Sequence, residues 1–261
     1  PSIIHVEYDY IKKPYYTPND VRYNQQWFLE AVQADLAWDI IGAPNIVPGD
    51  KEVLLASVDT GVDWNHTDLV NNIWQNLGED ADGDGRTIEY INGQWVFDPD
   101  DLNNIDDDNW DGNATTFVDD LIGWDTSGDG MGDDNNPAPS NTGSHGTHVA
   151  GLLAATTDNN LGISSVAFNS SIMSVKTTRD GGDYINDGYD GILYAAKAGY
   201  YGSERGFSII NCSWGCVSCY NTFDAATIEV AHNDYNAVIV AASGNGDGGE
   251  QYEAHYPSSY D

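Results

Sequence analysis

Apolar runs of strand length alternate with amphipathic, helix-spaced stretches through the second half of this chain. The helix-spaced stretches are residues 149–155, 189–198 and 225–232, and the apolar runs are residues 172–175, 209–213 and 237–242. Upstream, residues 53–58 form another apolar run, and residues 27–41 have helical spacing. This order predicts an α/β fold with a doubly wound, mainly parallel sheet and helices on both of its faces.

Polar and small residues follow three of the predicted strands. Asp59 directly follows the run at residues 53–58, residues 213–215 lie at the end of the run at 209–213, and residues 243–245 directly follow the run at 237–242. In open α/β sheets the active site lies at the carboxyl ends of the strands. These positions are therefore the candidate functional residues.

The charge of the chain excludes one large class of partner. Its 261 residues include 42 Asp and Glu but only 9 Lys and Arg, a formal net charge of −33. Such a surface repels the phosphates of nucleic acids and anionic membranes, so we expect no nucleic acid partner. The acidity fits bound divalent cations, a saline habitat, or both. The chain has no apolar run of 18 residues, so no membrane span is expected.

The acidic residues concentrate in one segment. Residues 79–134 contain eighteen Asp and Glu and a single basic residue, Arg86. Two stretches within it match the first half of a calcium loop, in which alternate oxygen ligands precede a glycine turn. Their candidate ligands are Asp80, Asp82 and Asp84 in the first and Asp107, Asn109 and Asp111 in the second. Neither stretch has Glu at the twelfth position, and a solvated acidic loop is the alternative.

Cysteine is sparse, with Cys212, Cys216 and Cys219 only. The odd number excludes a complete internal disulfide framework. Cys216 and Cys219 are compatible with a small disulfide loop or with two plain thiols, and zinc would need further ligands that are not close in sequence.

Four short motifs, in order, resemble those of the subtilisin-like serine proteases, the subtilases. They are VDTGVDWNHTDL at 58–69, HGTHVAG at 145–151, NCSWG at 211–215 and AASGNG at 241–246. The resemblance, which is to thermitase-like members, runs from about Thr17 to the end of the chain. It implies a subtilisin-like catalytic domain over residues 17–261, interrupted by the acidic segment. Residues 1–16 resemble the end of an inhibitory propeptide and its junction.

The resemblance assigns roles that the chemistry of amide hydrolysis requires. It makes Asp59 the residue that orients the base, His145 the general base and Asn245 the oxyanion donor. His148, one turn along the same helix, is expected to pack as a structural histidine. The two histidines do not form the HExxH zinc pattern, in which the spacing is four.

The resemblance also implies how a protein or peptide substrate binds in extended form. One wall of the specificity pocket is expected from Ser213, Trp214 and Gly215, and the other from Ala242, Ser243 and Gly244. Relatives often have Leu where this chain has Trp214, so we expect an altered neighbouring subsite that favours apolar or aromatic residues.

Calcium is the implied cofactor. Asp20 and Asp68 match positions that ligate calcium in thermitase-like relatives, and the acidic segment resembles the Asp-rich calcium insertions of some subtilases. The parent protein is accordingly expected to be a secreted, monomeric, calcium-dependent endopeptidase.

The nucleophile of the family is missing. It lies in a G-T-S-M-A-type motif well beyond the asparagine, whereas this chain stops at YPSSYD and contains no such motif. We expect a partial copy of a protease, with the C-terminal part of the fold missing and no activity of its own. The alternatives are one chain of a cleaved enzyme and a non-catalytic calcium-dependent binding module.

Overall fold

A computed structural model of the chain describes residues 7–8, 15–113, 115–128, 132–140, 144–182, 184–246 and 253–260. The strands in this part of the chain are β1 (Leu54–Asp59), β2 (Ile88–Ile91), β3 (Gln94–Phe97), β4 (Gly123–Asp125), β5 (Ser171–Lys176), β6 (Ser208–Cys212), β7 (Cys216–Val217), β8 (Val238–Ala241) and β9 (His255–Tyr256). Its α-helices are α1 (Trp27–Ala31), α2 (Ala34–Ile41), α3 (His145–Ala154), α4 (Gly188–Gly202) and α5 (Thr222–Asn233). Of residues 1–16, which resemble the end of a propeptide and its junction, only residues 7–8 and 15–16 lie among the described residues.

The centre of the described structure is a five-stranded sheet in the order β4-β5-β1-β6-β8. Every neighbouring pair in it is parallel. β1 lies in the middle, with Ala56 opposite Met173 on one side and Ile210 on the other. Successive strands are therefore joined by helices or long loops, as the alternation in the sequence predicted.

Helices cover both faces of this sheet. On one face Leu54, Ala56 and Val58 pack in a buried cluster with residues of α4 and α5. On the other, Ile172 packs with Ala150 of α3. Because successive side chains of a strand point to opposite faces, the buried runs of β1 and β5 supply both clusters. The predicted doubly wound α/β architecture is confirmed.

The predicted helix over residues 27–41 is broken in two. Gln33 has a left-handed backbone with φ of 57°, which separates α1 from α2. The break lets Leu29 and Trp38 pack in one buried cluster with Phe168. The indole N–H of Trp38 also donates to the carbonyl of Val166 at 3.0 Å. Tertiary packing thus overrides the local helical spacing.

The acidic segment is anchored rather than freely solvated. β2 and β3 form an antiparallel hairpin across Asn92 and Gly93, both with positive φ, as a tight hairpin turn requires. Ile88 of this hairpin is buried against the sheet. Further along, Trp110 stacks on Phe117, and both rings contact Tyr194 of α4. Apolar contacts at two places therefore hold this segment on the domain.

The disulfide left open by the sequence is formed between Cys216 and Cys219. Cys212 is a buried free thiol. No helix in the described part of the chain is long and apolar enough to cross a lipid bilayer.

Candidate active site

The predicted functional residues lie at the carboxyl ends of three strands that are neighbours in the sheet. Asp59 ends β1, residues 213–215 follow β6, and residues 242–245 follow β8. The Ala242 N–H donates to the Cys212 carbonyl at 3.0 Å, which holds the segments after β6 and β8 together. The sheet alone therefore brings the three stretches to one edge.

Asp59 and His145 are in direct contact. Nδ1 of His145 lies 2.7 Å from Oδ1 of Asp59, and the Thr60 N–H donates to the same oxygen at 2.7 Å. Asp59 is fully buried, whereas the His145 side chain is 57% exposed. A buried carboxylate bound to Nδ1–H fixes the tautomer in which Nε2 has a lone pair to accept a proton.

The first turn of α3 is tied to the loop after β1 by two further hydrogen bonds. The Gly146 N–H donates to Thr60 Oγ1 at 2.9 Å, and the Asp63 N–H donates to Thr147 Oγ1 at 2.9 Å. A Cβ on Gly146 would collide with the Gly61 carbonyl, so only glycine permits this approach. The motifs DTGVD and HGT therefore act as one unit that positions the imidazole on the carboxylate.

Cys212, the buried thiol at the end of β6, is unsuited to act as a nucleophile. Burial, and secondarily the charge of Asp59, raise the pKa of the Cys212 thiol far above its usual range. A thiol that stays protonated is unreactive.

A cleft of about 680 Å³ opens above the dyad. Among the predicted site residues its lining includes His145, Ser213, Trp214, Gly215, Ala242, Gly244 and Asn245. Ser243 is exposed and is not part of that lining. His148 does line the cleft and is exposed, so the expectation that it packs as a structural histidine is wrong.

Trp214 is bonded to the strand that carries Asp59. Its indole N–H donates to the Val58 carbonyl at 2.7 Å, and its ring meets Tyr189 edge-on with centroids 5.6 Å apart. The ring lies so close to Gly188 that a Cβ there would come within 2.6 Å of it. Trp214 thus lines both the cleft beside His145 and a neighbouring aromatic cavity of about 440 Å³.

Residues 50–261 match the Subtilase family of peptidases. The chain belongs to the subtilase family. The family match covers all of the residues that build the dyad and the cleft.

Named relatives of this subtilase chain are proteases. It is 29% identical to a thermophilic serine proteinase from a Bacillus species, in an alignment that covers 100% of the chain and 48% of that protein. It is 30% identical to an extracellular protease from Xanthomonas campestris, with 93% of the chain and 37% of that protein covered. The chain therefore spans half or less of the length of these two relatives.

A solved protease from Pseudoalteromonas arctica has the same fold. The two share a TM-score of 0.55 at 26% identity, over 93% of this chain and 62% of that one. The subtilisin-like fold expected from the motifs is thus confirmed for this subtilase chain.

Two of the residues predicted to ligate calcium, Asp20 and Asp68, are buried and converge on one loop. Asp20 accepts from the Ser164 hydroxyl at 2.7 Å and from the Asn159 N–H at 3.3 Å. Asp68 accepts from the Asn159 side-chain amide at 2.7 Å. Both carboxylates are therefore held by residues 158–164, although 48 positions separate them in the sequence.

The acidic segment groups its carboxylates differently from the two linear loops expected. Within the described residues, three groups each offer three carboxylate oxygens that lie within 4.8 Å of one another. They are Glu79 with Asp106 and Asp108, Asp80 with Asp82 and Asp101, and Asp84 with Glu89 and Asp98. The first predicted loop is thus divided between two groups.

In the second predicted loop, the carboxylates that face inward are one residue away from the predicted ligands. Asp107, Asn109 and Asp111 are exposed, whereas Asp106 is buried and Asp108 is half-buried. The described part of the chain brings neither Asp107 nor Asp111 into a group of three such side chains. In a stretch where alternate residues face inward, either the even-numbered or the odd-numbered positions can do so. Here Asp106 and Asp108 face the buried Glu79, and Asp107 and Asn109 face solvent.

Both carboxylate oxygens of Glu79 accept hydrogen bonds from the protein. The Asp108 N–H donates to Oε1 at 3.1 Å, and the Asp119 N–H donates to Oε2 at 3.2 Å. Burial raises the pKa of Glu79 to about 8 and that of Asp108 to about 6. Burial raises the pKa of Asp101 in the neighbouring group as well.

Sequence reasoning missed Thr60, Thr147 and Asp101. The two threonines lie inside the subtilase motifs, so their hydroxyls could have been assigned to the contact between those motifs. Asp101 lies outside both calcium-loop patterns, and only the folded chain brings it to Asp80 and Asp82.

Proposed function

We propose that this chain carries the base, its orienting carboxylate and the oxyanion donor of a secreted, calcium-dependent serine endopeptidase. The observation that carries the proposal is the 2.7 Å contact between the buried Asp59 and the exposed ring of His145, which lines the cleft. The named relatives are serine or extracellular proteases, which supports both the reaction class and the secreted location.

In this proposal Asp59 keeps His145 in the tautomer whose Nε2 takes the proton of an attacking hydroxyl. The same Nε2 then protonates the leaving amine, and Asp59 stabilises the imidazolium formed in between. Asn245 lines the cleft, so its side-chain amide can donate to the oxyanion that develops on the scissile carbonyl. The serine that supplies the hydroxyl is not assigned to any residue of this chain.

The substrate is a protein or peptide bound in extended form by a monomeric enzyme. Residues 213–215, Ala242 and Gly244 all line the cleft, and in this proposal the two segments form the two walls of the specificity pocket. An exposed Gly215 leaves room for a substrate backbone to approach. Trp214 supplies an aromatic surface for an apolar or aromatic substrate side chain.

Calcium is proposed at Asp20 and Asp68. Both are buried carboxylates, and oxygen ligands of this kind suit a hard divalent cation. A bound calcium ion would add positive charge between these carboxylates and residues 158–164, which already donate hydrogen bonds to them.

The test of the catalytic assignment compares two histidines in the full-length protein. His145→Ala removes the base, and the turnover of a peptide substrate should fall by about 10⁶-fold, the size of the loss found when the base is removed from a subtilisin. His148→Ala is the matched control, since it removes an exposed histidine from the same helix and cleft and should cost far less. Equal losses in the two variants would exclude the proposed dyad.

Residues 1–261 by themselves are expected to hydrolyse no peptide, because the sequence lacks the nucleophile motif. A fluorophosphonate probe and a peptide substrate added to the purified chain provide the measurement. Labelling of a serine together with turnover would place the nucleophile in this chain. If the full-length protein also fails to react but binds peptide in a calcium-dependent way, the binding module becomes the correct interpretation.

A further inference from the structure

A third histidine, outside the subtilase motifs, lines the cleft. His255 lies in β9 and is buried, with 7% of its surface exposed, whereas His145 and His148 are both exposed. These are three of the six histidines in the chain. The proposed catalytic dyad uses only one of them, so the buried position of His255 needs a different explanation.

The strand that carries His255 contacts both segments of the specificity pocket. His255 is paired with Val217 of β7, the strand that directly follows residues 213–215. Its imidazole packs so closely on Gly244 that a Cβ there would lie 2.4 Å from Cε1. His255 therefore meets one segment through its strand and the other through its ring.

The backbone around His255 is fixed by hydrogen bonds. The Ser258 hydroxyl donates to the His255 carbonyl at 3.0 Å, and the Ser218 N–H donates to the Ala254 carbonyl at 2.9 Å. The imidazole is thus held in position before a substrate binds, as a group that selects between substrates must be.

The lining of the cleft differs in charge from the chain as a whole. The chain has 42 Asp and Glu, yet the described residues that line the cleft include three histidines and no Asp, Glu, Lys or Arg. Asp59 is fully buried, and Glu253 accepts from the Ser218 hydroxyl at 3.0 Å outside that lining. An acidic substrate side chain therefore meets imidazoles there and no carboxylate of the lining.

The position of His255 indicates which substrate residue it meets. Gly244, on which the imidazole packs, directly precedes Asn245, the proposed donor to the oxyanion on the scissile carbonyl. The side chain nearest to that carbonyl belongs to the residue that supplies it. This residue is the one whose side chain reaches His255.

We propose that His255 determines the specificity of the pocket and selects substrates with Glu or Asp on the carbonyl side of the scissile bond. An imidazole donates a hydrogen bond to a carboxylate in either protonation state, and the carboxylate favours its charged form. A basic side chain would find no carboxylate in the lining, and an apolar one would leave the buried ring without a hydrogen bond from the substrate. This inference rests on the proposed endopeptidase function and adds its substrate class.

The test measures kcat/KM of the full-length protein on three peptides that differ only at this residue, which is Glu, Gln or Leu. The Glu peptide should have a kcat/KM at least about tenfold above that of the Gln peptide, because Gln has the same shape without the charge. His255→Gln keeps a donor but no positive charge, and it should lower the ratio of Glu to Gln at least about tenfold. His148→Gln is the matched control, since it removes an exposed histidine from the same cleft and should leave the ratio unchanged.

The unmodified protein alone keeps the proposal open to contradiction if the His255 variant fails to fold. Cleavage of the Gln or Leu peptide as fast as that of the Glu peptide would overturn the specificity and leave the endopeptidase function intact. An unchanged ratio in a His255 variant with the parent's circular dichroism would also overturn it. An equal fall in the His148 variant would assign the preference to the cleft as a whole rather than to His255. If none of the three peptides is cleaved, the proposed endopeptidase function itself fails.

Discussion

Asp59 at the edge of the sheet and Asp101 in the acidic segment are alike in burial and opposite in surroundings. Each is fully buried, and each has one oxygen that accepts hydrogen bonds and a second oxygen without a hydrogen-bond partner among the described residues. Asp59 lies against an imidazole, whereas Asp101 lies against two further carboxylates. A buried aspartate can thus lie beside an imidazole in one place and beside other carboxylates in another, and its neighbours decide what its oxygens can do.

The two aspartates are also held in different ways. Asp59 is the last residue of a central strand with partners on both sides, so the sheet fixes its position. Asp101 is in a turn, and the segment around it includes Asn104 and Asn109 with positive φ. A strand inside a sheet needs no ligand to hold its place, but a charged turn depends on what neutralises it.

The largest expected effect separates the two aspartates by function. Asp59→Asn removes the carboxylate that orients His145, and kcat of the full-length protein should fall roughly 10⁴-fold, as for the corresponding change in a serine protease triad. Calcium binding should be unchanged. Asp101→Asn should show the reverse pattern, with calcium lost and kcat in saturating calcium retained.

If both variants lost activity and calcium together, the two regions would be energetically coupled rather than independent. Steady-state kinetics and calorimetry on the same preparations decide between these outcomes.

A smaller loss is expected from the oxyanion donor. Asn245→Ala should reduce kcat by about 10²- to 10³-fold with KM little changed, the effect measured for loss of one such donor in a subtilisin. Ser243→Ala is the control, since Ser243 belongs to the same segment but does not line the cleft. A sharp rise in KM with kcat retained would make Asn245 a ground-state binding residue instead.

Removal of calcium should lower the stability of the protein, and it should loosen the acidic segment and residues 158–164 before the central sheet. A ligand at 100 times its Kd stabilises the native state by about 2.7 kcal/mol per site, so excess chelator should lower Tm by several degrees. Hydrogen exchange should increase in residues 79–128 and 158–164 before it increases in β1 and β5. An unchanged Tm would contradict the calcium proposals, and a uniform increase in exchange would contradict the contrast between the regions.

The smallest expected effect concerns Trp214. Trp214→Phe keeps an aromatic ring but removes the donor to the Val58 carbonyl, and it should lower the free energy of unfolding by about 1 kcal/mol. Trp27→Phe is the control, because Trp27 is exposed. Urea unfolding measures both, and equal values would show that the hydrogen bond to β1 contributes nothing measurable.

Four of the five strands of the central sheet, and the polar residues at their carboxyl ends, were predictable because their signals are local, whereas the edge strand β4 was not predicted. The apolar runs at residues 172–175 and 209–213 became β5 and β6 with shifts of one residue or so at their ends. A buried parallel strand needs a continuous apolar stretch, and that requirement is written in consecutive residues. The polar residues that follow such strands are then placed at one edge by the topology.

The continuity of helices and the burial of individual side chains were harder to predict from the sequence. The break at Gln33 and the exposure of His148 both depend on what surrounds each helix, which spacing along the chain does not reveal. The same holds for Cys216 and Cys219, where the sequence permitted two thiols and the fold brings them into a disulfide.

By itself, the sequence determined the order of β1, β5, β6 and β8, the helices that connect them, and which polar residues follow these strands. It also determined that residues 79–134 carry far more negative than positive charge. Only the tertiary structure decided that Asp106 and Asp108 turn inward instead of Asp107, and that Asp101 rather than Asp84 joins Asp80 and Asp82. The physical reason is that backbone hydrogen bonding and apolar burial follow short periods along the chain, which consecutive residues reveal. A group of carboxylates forms instead from turns that are distant in sequence. Its composition depends on where apolar residues such as Ile88 and Trp110 attach the segment to the domain.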